Sequence, residues 1–187
     1  FKPTWDSNGV FTADGKCYVL SAHEDGNGGA LEILDVSNPS NPVKLGDWKL
    51  YGYLDRVWVN GKYAYVAGTF TDYWGDTPGI SFWVIDVSDP ASPVAVGALP
   101  KTGNNAMIGI FYKNGYVYTC DNEFYYCIDV GSPSDPRILW KLKLPDRGQS
   151  VFVQGNTAYL ANYGAGLTTV DNHSRVIKGR YGNALDN

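Results

Sequence analysis

A twelve-residue pattern recurs four times without a gap, and it constrains this chain more than any other feature. The copies are VFTADGKCYVLS (10–21), VWVNGKYAYVAG (57–68), IFYKNGYVYTCD (110–121) and VFVQGNTAYLAN (151–162). Each opens on Val or Ile followed by an aromatic residue, Phe11, Trp58, Phe111 or Phe152, and each carries a tyrosine at its ninth place, Tyr18, Tyr65, Tyr118 or Tyr159. Asp14-Gly15, Asn60-Gly61, Asn114-Gly115 and Gln154-Gly155-Asn156 interrupt the copies midway, where Gly or Asn takes the positive φ of a tight turn. Each copy is therefore a β-hairpin whose side chains alternate between two sheet faces. The four tyrosines are expected at equivalent, largely buried positions. The aromatics at the second place are expected to fill the seams where sheets meet face to face.

A second block follows each hairpin: LEILDVSNPSNPVKLG (31–46), FWVIDVSDPASPVAVG (82–97), YYCIDVGSPSDPRILW (125–140) and a shortened LTTVDNHSRVIKG (167–179). Asp35, Asp86, Asp129 and Asp171 end a third strand there. Their recurrence is read as turn chemistry rather than as a ring of acids, because Asp and Ser bond nearby backbone amides while Pro fixes φ. A fourth strand then runs outward at 43–49, 94–99, 137–144 and about 175–180. The unit is four antiparallel strands, and successive hairpins start 47, 53 and 41 residues apart, the spacing of propeller blades. The predicted fold is an all-β single domain over 1–187, a β-propeller with four four-stranded antiparallel blades at about 10–49, 55–99, 108–144 and 150–180. It is either a closed four-bladed ring or part of a larger ring, for instance a half-ring that pairs with a second copy.

The coupled motifs V-x-V-x-G-x-Y-A-Y-V-A and L-x-I-x-D-V-S-N-P-S-N-P, best seen in VWVNGKYAYVAG with FWVIDVSDPASP and in LEILDVSNPSNP, resemble the LVIVD repeat family of bacterial and archaeal β-propellers. The resemblance covers essentially residues 10–180. It implies an extracellular or cell-surface protein, with the first strand of each hairpin lining the central channel. It supplies no shared catalytic residues. The fourth copy departs from the pattern, reading Asp171-Asn172-His173-Ser174-Arg175 where the others have the Pro-rich turn.

A formal net charge of −4 argues against a phosphate-binding surface, so no nucleic-acid partner is expected. No run of apolar residues is long enough for a membrane span. The chain starts at Phe1, which suggests a processed export product or an excised segment. Cys17, Cys120 and Cys127 lack zinc-site spacing and are read as small core residues, and neither a metal nor another cofactor is expected. His23-Glu24-Asp25-Gly26-Asn27-Gly28 has calcium-capable groups but lacks the later bidentate Glu of an EF-hand. His23 and His173 fall on different blades, and no G-x-S-x-G element accompanies them, so the chain is not expected to be an enzyme.

Propeller ligands usually meet the face where one blade's outer strand hands over to the next inner strand. The longest loop expected there, 68–80, carries Tyr73 and Trp74 between Asp72 and Asp76, aromatics beside carboxylates of the kind used in sugar sites and protein hot spots. Tyr53 and Arg56 from 50–56 and Arg147 from 145–149 join it as candidate ligand-binding residues. Asp55-Arg56 and Asp146-Arg147 would grip a carboxylate or hydroxyl-rich ligand if free, and would serve the fold if paired within their loops. The leading expectation is a non-catalytic, exported binding or assembly module with a protein or glycan partner on this loop face and a capacity to form homo-oligomers. The alternatives are a carbohydrate-binding or polysaccharide-degrading propeller and a structural subunit of an extracellular assembly.

Overall fold

The computed structural model describes residues 7–22, 28–50, 52–70, 79–101 and 106–182. These residues form sixteen strands in four sheets. The first blade holds β1 (Ser7–Ala13), β2 (Lys16–Ala22), β3 (Gly29–Asp35) and β4 (Val43–Leu50). The second holds β5 (Tyr53–Asn60), β6 (Tyr63–Phe70), β7 (Ile80–Asp86) and β8 (Val94–Pro100). The third holds β9 (Ile108–Lys113), β10 (Tyr116–Cys120), β11 (Phe124–Asp129) and β12 (Arg137–Lys143). The fourth holds β13 (Gly148–Gln154), β14 (Thr157–Asn162), β15 (Gly166–Asp171) and β16 (Val176–Tyr181). In every sheet the strands lie in chain order and pair antiparallel. No helix long and apolar enough to cross a membrane occurs among the described residues.

Local chemistry accounts for the blade. Asp14 and Gly15 have φ of 51° and 72°, and Asn114 and Gly115 have 50° and 83°, the two positive values that a two-residue hairpin turn requires. The recurrent aspartates accept from the amide two residues on: Ser37 to Asp35 at 2.8 Å, Ser88 to Asp86 at 2.9 Å, Gly131 to Asp129 at 2.8 Å and His173 to Asp171 at 2.9 Å. The next backbone N–H reaches back to the hairpin, from Val36 to Gly15, Val87 to Lys62, Val130 to Gly115 and Asn172 to Asn156. These acids therefore close turns, and the amides that face Asp35 and Asp171 hold their carboxyls below the usual range.

Two bulges recur in every blade. The register skips Asn8, Asp55, Gly109 and Gln149 in the innermost strands and Leu45, Val96, Leu139 and Lys178 in the outermost ones. A bulge bends its strand and increases the local twist. The blades meet mainly along β1, β5, β9 and β13, so they converge on these inner strands and spread outward like a fan. Among the described residues the fan does not close: the first and fourth blades share no interface like the three between consecutive blades. Of the two arrangements open to the repeat, the structure is an open arc rather than a four-bladed ring.

Each junction between blades is an apolar core. Tyr18, Leu20, Leu31 and Ile33 of the first blade pack on Val57, Val59, Ala64 and Val66 of the second. Tyr65, Ala67, Phe82 and Val84 pack on Ile110, Val117, Tyr126 and Ile128. Cys120 and Tyr125 pack on Val151, Val153, Ala158 and Leu160. The second-place aromatics step along the inner strands, with ring centroids 5.0 Å apart for Phe11–Trp58 and 4.9 Å for both Trp58–Phe111 and Phe111–Phe152. Among the described residues the cysteines are free thiols, Cys120 and Cys127 in the core and Cys17 half-buried.

Burial raises the Cys120 thiol to about 12, Cys127 to about 11, and the Tyr65 and Tyr118 hydroxyls to about 12. The unfolded chain releases these protons at their ordinary values, about 8.5 for Cys and about 10 for Tyr. Above those values the folded state binds more protons than the unfolded one, so stability falls as pH rises. The stabilisation is complete below the ordinary values and is lost progressively up to about pH 12. Urea midpoints measured from pH 7 to 11 are expected to be flat at first and then to drop. A midpoint that holds steady to pH 11 would refute this account.

Candidate functional site

The loop face is organised by the inner-strand bulges. The Arg56 guanidinium donates through Nη1 to the carbonyls of Asn8 at 3.0 Å and Asp55 at 2.9 Å, and to Asp55 Oδ1 at 3.3 Å. Asn8 Nδ2 donates to Leu54 O at 3.3 Å, and the Gly109 amide donates to the Asp55 carboxylate. Desolvation raises the Asp55 carboxyl, with Arg56 and the Gly109 amide pulling the other way. The set ties the first three blades together at the hub. Close backbone approach completes it, since a side chain at Gly9 would meet Asp55 O at 2.8 Å and one at Gly148 would meet Asp121 O at 3.0 Å.

Of the candidate residues read from the sequence, Arg56 is thus part of the inter-blade bonding. Arg147 is exposed and stacks over the Tyr163 ring at 5.4 Å, while Asp146 accepts from the amides of Arg147 at 2.7 Å and Gly164 at 2.6 Å. Tyr53 is exposed on the same face. Tyr73, Trp74, Asp72 and Asp76 lie outside the described residues, as do His23 to Asn27. The face therefore presents Tyr53, Tyr163 and Arg147, which suit flat, partly apolar contact surfaces.

Sequence reasoning missed a buried polar column beneath this face. The last residue of each hairpin copy is Ser21, Gly68, Asp121 or Asn162, and all four are buried. Ser21 Oγ donates to Glu32 Oε2 at 3.3 Å, and Asn162 Nδ2 donates to Asp146 O at 3.0 Å. Asp121 accepts from the amides of Glu123 and Phe124 and from the Tyr126 hydroxyl, all at 2.6 Å. The signal was in the gapless alignment, whose final place is polar in three copies.

The second surface is the pair of outward-facing blade flanks at the two ends of the arc; on the first, Ala30, Glu32 and Leu34 are buried while Val10 is exposed. Val57, Ile110 and Val151 open their hairpins at 5%, 8% and 5% exposure, whereas Val10 at the same place in the first blade is 66% exposed. The other side of the arc mirrors this. Tyr18 and Tyr65 are buried and Tyr118 is half-buried, but Tyr159 is exposed at 37%. The expectation of four equivalent buried tyrosines fails at the fourth for a physical reason: among the described residues no following blade packs on its sheet. Phe152, Leu167 and Tyr181 are exposed with Tyr159 on that flank.

Four consecutive four-stranded sheets converging on their inner strands define a propeller-type repeat protein. The chain matches the LVIVD repeat over residues 25–48, 51–99 and 147–180, more than half its length, and it belongs to that family. The third blade, with the same strand order, lies outside the matched stretches. No curated protein matches the chain. Among solved structures it is similar to the computationally designed Ika8 protein, with a TM-score of 0.66 at 7% identity over 89% of this chain and 46% of that one. It is also similar to the computationally designed Ika4 protein, with a TM-score of 0.66 at 8% identity over 88% of this chain and 90% of that one. At these identities the likeness concerns the fold alone. The chain spans just under half the length of Ika8.

Proposed function

We propose that this chain is a non-catalytic, exported assembly module that pairs its two open flanks with a second copy and presents the loop face of the resulting ring to a protein or glycan partner. The observation that carries the reading is the 66% exposure of Val10 where its three repeat equivalents are at 8% or less. The same face of the first blade carries the ion-paired Glu32, Lys44 and Asp47 beside Val10 and Val19, so its cover would meet a mixed apolar and charged surface.

The two ends are also complementary. Gly46 and Gly97 in the outer strands lie against the carbonyls of Pro90 and Pro133 in the following blade's turn. Gly179 holds that glycine place in the fourth blade, and Pro39 holds that proline place in the first. A second copy would therefore seat Pro39 on Gly179 and Phe11 on Phe152, and the two contacts would repeat by two-fold symmetry.

Light scattering of the purified chain is expected to give twice the monomer mass. Gly179→Leu, which fills the notch on an exposed flank, is expected to give a folded monomer with an unchanged circular dichroism spectrum. A wild-type chain that stays folded, soluble and monomeric at high concentration would overturn the pairing.

A further inference from the structure

The repeat is broken at one junction, and the break makes a cleft. In the first two junctions an outer-strand glycine meets a proline carbonyl of the next blade, Gly46 with Pro90 and Gly97 with Pro133. At the third junction Trp140 takes the glycine's place, and the turn Asn172–Arg175 of the fourth blade has no proline. A second position changes with it. Val87 and Val130 begin their turns as buried residues of the junction in front of their blades, and Asn172 stands there in the fourth blade.

These changes leave an open cleft of about 340 Å³ on the side of the arc opposite the loop face. Tyr116, Tyr118 and Trp140 supply its aromatic walls, and Asn156, Asn172 and His173 supply its polar groups. Asn172 Oδ1 accepts from the Tyr125 hydroxyl at 2.9 Å, while its buried Nδ2 has no hydrogen-bond partner. A buried amide donor without a partner is costly and calls for an acceptor. Among the described residues no Asp, Glu, Lys or Arg lines the cleft, although the Arg175 guanidinium lies over the Trp140 ring at 6.0 Å.

We propose that this cleft is a binding site for a neutral, polyhydroxylated ring, such as one sugar residue of a glycan. Aromatic faces pack against the apolar face of such a ring, and amides and an imidazole serve its hydroxyls as both donors and acceptors. The absence of formal charge on the walls disfavours ionic ligands, and the volume is that of a small-molecule site. The site stands apart from the pairing reading, because both flanks of the arc lie elsewhere.

Saturation-transfer NMR with glucose, galactose, N-acetylglucosamine and cellobiose, each added to the intact chain, tests it. At least one of these is expected to receive saturation and to shift the tryptophan fluorescence. Asn156 and His173 are exposed, so the double variant Asn156→Ala/His173→Ala is expected to fold normally and to bind about tenfold more weakly, a loss of about 1.4 kcal/mol. Asn172→Val, which restores the repeat's own residue, is expected to abolish transfer. Binding should persist in Gly179→Leu and in Tyr163→Ala on the loop face. No transfer to any of the four sugars would overturn the proposal, as would transfer indifferent to the cleft variants or lost in Tyr163→Ala.

Discussion

Truncating Tyr65 to alanine is expected to lower the unfolding free energy by about 3–5 kcal/mol, the cost of removing a buried aromatic side chain and leaving its cavity. Tyr65 is 3% exposed, and its ring stacks on Phe82 at 6.4 Å and on Tyr112 of the next blade at 5.2 Å. The same substitution at Tyr159, its equivalent on the open flank, is expected to cost below about 1 kcal/mol in a monomeric chain, because exposed side chains contribute little. Urea denaturation of both variants in the Gly179→Leu background gives the comparison directly. Equal costs at the two positions would mean that the fourth blade's flank is covered within the chain, and the open arc would be refuted.

Asp121→Ala is expected to be comparably damaging, for a different reason. The residue is 2% exposed, and the substitution removes the acceptor for two backbone amides and the Tyr126 hydroxyl. The Tyr126 hydroxyl is buried and the two amides are partly so, and an unsatisfied donor costs about 1–3 kcal/mol when buried and less where water reaches it, so a total of about 2–3 kcal/mol follows. Asp121→Asn keeps one oxygen for the two amides and is expected to cost about half as much. A chemical-denaturation series with wild type, Asn and Ala in that order of stability would support the reading. An alanine variant within about 1 kcal/mol of wild type would show that water replaces the carboxylate.

The blade was legible because its determinants are local. Asp14-Gly15 and Asn114-Gly115 need only their own backbone to form a turn, and Asp35 or Asp86 needs only the amides just after it. The bulges at Asn8, Asp55, Gly109 and Gln149 were not legible, since each depends on which residue of a neighbouring strand goes unpaired. Arg56 illustrates the same limit at the candidate site. Its composition suits a ligand clamp, yet the first blade's Asn8 carbonyl, 48 residues earlier, is what it binds. Tyr159 and Tyr65 hold one place in the repeat, and their difference in exposure belongs to the neighbouring blade and not to their own sequence. The cleft beside Trp140 became readable only when Gly46 and Gly97 were seen against prolines of the following blade.

The even spacing of the inner aromatic rings, 4.9 to 5.0 Å from Phe11 to Phe152, has a geometric consequence. Among the described residues no hydrogen-bonded ladder is shared between blades, so each junction is a wedge of side chains, with a single aromatic ring at its thin end and bulkier pairs such as Trp48–Trp83 toward its thick end. The radius of the arc is then a property of side-chain volume at the two ends of each wedge. Thickening the thin end opens the curve and thinning it tightens the curve, while every blade keeps its own pairing. How many blades complete a turn is thereby written in a handful of rings near the axis, separately from the residues that make each blade a sheet.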